Sequence, residues 1–114
     1  MQLRTRAKGP VIIVDAAGAL TIGESASALR KTMRELAWNR SAKVVLNMAG
    51  VTRIDSSGIG ELISSYTAIS SAGGKLKLLN LARHVSELLK VNRLDTVFET
   101  LEDEALAVAA FSLS

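Results

Sequence analysis

Lys43–Ala49 reads KVVLNMA, with apolar residues, among them the β-branched Val44 and Val45, on neighbouring positions rather than on every second one. A strand of that kind is too short for a helix and apolar on both sides. It is expected in the middle of a sheet covered on both faces, which is the setting of parallel α/β folds. The rest of the chain is consistent with that frame. Leu3–Ala7 (LRTRA) alternates like a strand with one wet face, and Gly9-Pro10 after it is a turn signal. VIIVDAAG from Val11 reads as a more buried strand, able to pair with the first as a hairpin. Gly18 and Gly23 bracket ALTI, which reads as a loop, and Thr21 and Glu24 have the spacing of a capping box that opens a helix. Along that helix Ala26, Leu29, Met33, Leu36 and Ala37 recur at helical spacing.

After KVVLNMA, residues Ile59, Leu62, Ile63, Tyr66 and Ile69 mark a second amphipathic helix starting just beyond a pair of serines, and Gly73-Gly74 stops it. KLKLLNL (Lys75–Leu81) predicts another strand. Arg83–Lys90 predicts a third helix with Val85, Leu88 and Leu89 inward. TVFET (Thr96–Thr100) predicts a last strand, and EDEALAVAAF a last helix with its acids at the favourable N-terminal end. The order is ββαβαβαβα: an α/β fold with a mostly parallel sheet and one antiparallel edge strand. With 114 residues the chain is expected to be one domain.

Composition removes several function classes. There is no cysteine, hence no disulfide framework and no thiolate metal site, and the single histidine is His84. No apolar run follows the charged MQLRTRAKGP start, and none approaches the roughly 18 residues that span a bilayer, so neither a signal peptide nor membrane insertion is expected. A cytoplasmic location is the expectation. Residues 1–53 hold nine Lys/Arg against three acids, and residues 54–114 five against eight. Aromatics are not interleaved with the basic residues, which disfavours direct nucleic-acid binding and favours a basic face that is solvated or meets an acidic protein.

The chemically dense stretch is TRIDSSGIGELISSY, Thr52–Tyr66. It lies at the carboxyl end of the predicted central strand, where α/β sheets place functional loops. Asp55, Ser56 and Ser57 each suit a helix cap. A cap needs only one of them, and exposed N–H groups with the helix dipole would also accommodate a phosphoserine. Enzymatic readings fail on detail. The context Ile54-Asp55-Ser56-Ser57-Gly58 is not a Gly-x-Ser-x-Gly elbow, and His84 is the only imidazole. Ile63 stands where a dinucleotide fingerprint beginning at Gly58 and Gly60 needs its third glycine. No catalytic, cofactor or metal residues are expected.

At this level of detail the chain resembles the anti-sigma factor antagonist family of STAS domains. The likeness is carried by VVLNM, IDSSGIGELI, GGKLKLLN and LLKVNRLDTVF, with GALT at Gly18–Thr21 similar to an earlier Gly-x-Leu-Asp loop, and it spans almost all of residues 1–114. The family's loop often carries Asp where Thr21 stands, and Asn92-Arg93 replaces a more usual small pair. The resemblance implies a protein that binds an anti-sigma factor serine kinase while unphosphorylated, so freeing a sigma factor. It would be inactivated by phosphorylation at Ser56, or less favourably Ser57, and reset by a serine phosphatase. It implies a partner surface of Gly18, Leu20, Thr21, Asp55, Ser56, Ser57, Gly58 and Ile59, with Ser57 and Gly58 making the cap or turn and Asp55 shaping the loop. No cofactor is implied, since the nucleotide belongs to the kinase. The alternatives are a STAS module that scaffolds a transporter or sensory complex without a phospho-switch, and a small-ligand or nucleotide-binding module of the same fold.

Overall fold

Five strands form one sheet in the order β1-β2-β3-β4-β5, so every strand lies beside its neighbour in sequence. The structure, a computed structural model, describes residues 1–113. β1 (Gln2–Lys8) pairs antiparallel with β2 (Val11–Leu20), whereas β2 with β3 (Lys43–Ile54), β3 with β4 (Lys75–Leu79) and β4 with β5 (Thr100–Leu101) are parallel. The helices are α1 (Glu24–Ala37), α2 (Ser56–Ser71), α3 (Arg83–Val91) and α4 (Glu104–Ala110). The α/β class, the mixed sheet with its one antiparallel edge strand and the order ββαβαβαβα are as the sequence predicts.

Three successive parallel crossovers that step the same way across a sheet put their helices on the same face, because the connection has one favoured hand. The core shows this. Val14, Ala16, Val44, Leu46, Met48, Leu76 and Leu78 bury one sheet face against Leu29 and Met33 of α1, Leu62 and Ile69 of α2, and Val85 and Leu89 of α3. Among the described residues, the opposite face is covered by α4 and the 3-10 turn that follows it: Val11, Ile13, Val45 and Leu79 pack on Ala107 and Phe111. Beyond that patch this face turns polar. Asn47 Nδ2 donates to Asp15 at 2.8 Å, Arg6 Nε donates to the same carboxylate at 2.7 Å, and Arg6 also pairs with Glu104 of α4. The Arg6 guanidinium and the Asn47 amide hold the Asp15 carboxyl below its usual range. Lys77 is buried here too, paired with Glu99 and set over the Phe111 ring at 4.9 Å.

Several elements depart from the sequence reading. β2 continues through Ala19 and Leu20, which ALTI as a loop did not allow, because Leu20 buries its side chain and pairs with Ile54. β3 likewise runs on to Ile54. Thr21 and Glu24 form no capping box: Gly23 (φ +105°) is the N-cap, and the Ser25 hydroxyl instead accepts from Thr21 N at 2.9 Å and donates to Thr21 O at 2.7 Å. TVFET is not a strand. Leu94–Thr96 is a 3-10 turn and Phe98 is inserted into the core, edge-on to Tyr66 at 5.4 Å, so β5 begins only at Thr100. β4 stops at Leu79, α3 gains Val91, and Ile63 of α2 is partly exposed rather than inward. The last helix is capped by Asp103, whose carboxylate accepts from Leu106 N at 3.0 Å.

Gly58 and Gly60, two residues apart in α2, are under opposite constraints. A Cβ on Gly58 would lie 2.3 Å from Leu20 O and 2.5 Å from Ile54 Cγ1, so the helix start can sit on the strand ends only without a side chain there. A Cβ on Gly60 would meet nothing within 4 Å. Gly58→Ala is therefore expected to lower unfolding free energy by about 1–3 kcal/mol through overpacking. Gly60→Ala is expected to raise it by about 0.5–1 kcal/mol by removing backbone entropy from a helix interior. Urea denaturation of the two variants checks the opposed signs.

Candidate functional site

β2 and β3 end side by side at Leu20 and Ile54, and Asp55 follows directly. Asp55 N donates to Leu20 O at 3.3 Å, which carries the β2–β3 pairing one step past the strand. Its extended backbone (φ −111°, ψ −173°) makes it the N-cap of α2. One carboxylate oxygen accepts from Gly58 N at 2.9 Å, the capping bond. The other accepts from Ile22 N at 3.0 Å, across 33 residues of sequence. A single side chain thus caps a helix and ties down the loop between β2 and α1. Both bonds go to the charged form, with that from Ile22 N the larger, so the Asp55 carboxyl is held below its ordinary value of 3.8.

This arrangement corrects the division of labour implied by the sequence. The cap is Asp55, not Ser57, which lies inside the first turn of α2. Ser56 occupies the first helical position and its side chain is exposed. Gly58 is buried against Leu20 and Ile54, and Ile59 is half-buried. Of the earlier loop residues, Leu20 is 1% exposed and serves the core rather than a surface, and Gly18 (φ +102°) and Thr21 are half-buried. The structure therefore brings Thr21, Asp55, Ser56, Ser57, Gly58 and Ile59 to one corner, with Leu20 beneath them.

Sequence reasoning missed Ile22. Lying in the loop that Asp55 holds, it is 79% exposed, and it borders a groove of about 380 Å³ with Ser57 and Gly60 on the far wall. The available signal was an isoleucine placed just before a glycine in an otherwise polar turn. His84, by contrast, is exposed on α3. Among the described residues, no three His, Cys, Asp or Glu side chains come together to hold a metal, and no helix is long and apolar enough to cross a membrane.

A sheet of this order, with a capped helix start at the carboxyl ends of β2 and β3, has a known counterpart. The sequence profile of the STAS domain matches residues 2–107. The chain belongs to the STAS domain family. Among solved structures, this STAS domain is similar to a protein from Thermotoga maritima described as a candidate anti-sigma factor antagonist (24% identity, TM-score 0.86, 95% of this chain and 92% of that one). It is also similar to the Bacillus cell fate determinant SpoIIAA in its phosphorylated form (15% identity, TM-score 0.74, 96% and 99%). A third likeness is to the murine anion transporter Slc26a9 in its inward-facing state (19% identity, TM-score 0.77), where 96% of this STAS domain matches 19% of that chain. At such identities the likeness is one of fold.

The Asp55 clip makes a prediction about pH. A carboxyl whose native pKa is depressed contributes stability that is full above its unfolded pKa, near 3.8, and that is lost as pH falls through the lower native value. Asp55→Ala is expected to be less stable than the parent above about pH 4. The gap should narrow steadily below it. Thermal melts of both proteins from pH 7 to pH 2 measure the convergence.

Proposed function

We propose that the chain is an anti-sigma factor antagonist that works by protein–protein binding and is itself no catalyst. In its unmodified form it binds an anti-sigma factor serine kinase in the cytoplasm and frees the sigma factor. The kinase transfers the γ-phosphoryl group of ATP to Ser56 Oγ: a P–O bond forms to the serine, the bond to the β-phosphate breaks, ADP leaves and the hydroxyl proton is lost. A serine phosphatase hydrolyses the ester and resets the protein.

The observation that carries this reading is Ser56 itself. It is an exposed hydroxyl at the start of a helix whose capping is already done by its neighbour. The fold does not need that hydroxyl. A phosphate there adds about −1.5 to −2 charge beside the helix dipole, which tolerates anions, so the fold survives modification. A partner surface packed on the same corner does not, because it must desolvate a dianion next to Asp55. Couplings of this size run at about 5–150-fold in affinity. Exposed Ile22, held at the same corner by its N–H bond to the Asp55 carboxylate, would supply the apolar part of the contact.

The likeness to the STAS portion of a transporter supports a second reading, a scaffold without a phospho-switch. One experiment separates the two. The protein is mixed with the serine kinases of its own genome and ATP, and the product is mapped by mass spectrometry. Modification at Ser56 is expected. Modification only at Ser57, or none with any kinase that binds, favours the scaffold. Ser56→Asp is expected to weaken kinase binding about 5–150-fold while leaving the melting temperature nearly unchanged. An unfolded variant would mean that the serine is structural after all.

A further inference from the structure

The parallel strands begin at the end of the molecule opposite the Asp55 corner: β3 starts there at Lys43 and finishes at Ile54, beside Asp55. Strand pairing sets Lys8 opposite Val11, Val11 beside Lys43 and Lys43 beside Lys75. Paired residues on neighbouring strands project to the same face, so the three lysines form one row. α1 returns to the same end, with Arg34 in its last turn and Trp38 as its C-cap, and Arg40 follows in the turn that leads into β3. Among the described residues Arg34, Arg40, Lys43 and Lys75 make no ion pair, while Lys8 meets Glu104 at 3.5 Å. Glu35 is the acid nearest to them along α1, and Glu99 is taken by Lys77. The end keeps an excess of positive charge.

Trp38 stands at the edge of this charge. It is the only tryptophan of the chain, is 88% exposed and belongs to neither hydrophobic cluster. Tryptophan is on average a well-buried residue, and this one adds nothing to the core. The dipole of α1 accounts for a cation in its last turn, but not for the indole or for lysines on the strand starts.

The company the indole keeps selects the partner. A protein interface buries its aromatic anchors in a centre from which charged residues, lysine among them, are depleted. Trp38 instead has Arg34 one turn before it and Arg40 two residues after it. Single-stranded nucleic acid calls for several aromatics along a basic groove, and a second copy of this end would set like charges against each other. An anionic bilayer accepts both groups. Indole rings settle at the headgroup level, and Lys and Arg are drawn to the negative surface potential. Lys43 and Lys75 also line a recess of about 170 Å³ with Ser41, Gly73 and Phe111, open to a headgroup phosphate.

We propose that the end of the molecule carrying Trp38, Arg40, Lys43 and Lys75 docks on an anionic lipid surface. The indole lies at the headgroup level and a lipid phosphate sits between the two lysines. The contact is peripheral, since among the described residues no helix is long and apolar enough to cross a membrane. It leaves the Asp55 corner, at the far end of β3, facing away from the lipid.

Trp38, as the only tryptophan, reports the docking without a label. The full chain is titrated with vesicles of two parts phosphatidylcholine to one part phosphatidylglycerol, and with vesicles of phosphatidylcholine alone. A blue shift of the indole fluorescence and co-sedimentation are expected with the anionic vesicles only, and both should disappear in about 0.5 M salt. Arg40→Ala and Lys75→Ala are each expected to weaken partitioning about fivefold. Trp38→Ala, read by sedimentation, should weaken it about tenfold. Arg53→Ala removes the same charge from an exposed position near the other end of β3 and should leave partitioning within about twofold. No blue shift with the anionic vesicles, an equal shift with phosphatidylcholine alone, or an equal loss in Arg53→Ala overturns the proposal. A blue shift with single-stranded DNA or polyglutamate but not with vesicles overturns it in favour of a nucleic acid or an acidic protein.

Discussion

The Asp55 carboxylate is the point on which the candidate site depends. It accepts from Gly58 N and Ile22 N at once, and so joins three things the chain makes separately: the end of β3, the first turn of α2 and the loop after β2. Either bond alone would be ordinary, a cap or a loop staple. Together they fix the position of exposed Ile22 relative to Ser56 without using either side chain. The contact beneath is equally demanding, because Leu20 O approaches Gly58 so closely that no Cβ fits. Electrostatics above and steric closeness below hold the same few residues, and the serines are left out of both.

That corner exists because of the sheet. β2 and β3 are paired in parallel to their last residues, Leu20 with Ile54, so both deliver chain to the same end. Strand order that never reverses puts α1, α2 and α3 on one face, which makes α1 and α2 direct neighbours and creates the cleft between them. The other face, covered by α4 and the turn after it, divides into an apolar patch and a polar tract of Asp15, Asn47 and Arg6 whose members satisfy one another. The alternation of each strand is visible in that division: Val11 and Ile13 precede Asp15, and Val45 precedes Asn47, all on the same side of the sheet.

Much of this was legible in the residues. KVVLNMA reads as a central strand, and helical spacing located α1 to α3 to within a residue or two. What failed was local chemistry overridden at a distance. Thr21 and Glu24 have capping-box spacing, but Leu20 is pulled into the core beside Ile54, and the turn that follows places Gly23 at the cap. Val97 and Phe98 have strand propensity, yet a ring contact with Tyr66 secures Phe98 in the core and delays β5. At the junction the sequence offered three caps without ranking them. The ranking comes from Ile22 N, a donor 33 residues away that only the carboxylate of Asp55 reaches. No local pattern encodes that bond.

The polar groups then sort themselves by how completely the fold uses them. Asp15, Asn47 and Asp55 are saturated by their own chain, and their roles end within the structure. Ser56 is exposed and dispensable to the helix, so its chemistry is open to something outside. Glu61 and Ser65 present the opposite case, since they are buried and only partly satisfied, a condition that weakens the free protein. An aliphatic residue at position 65 would pack between α1 and α2 without that cost. The return on Glu61 lies in its other oxygen, which accepts from Arg30 Nε at 3.0 Å and ties α2 to α1.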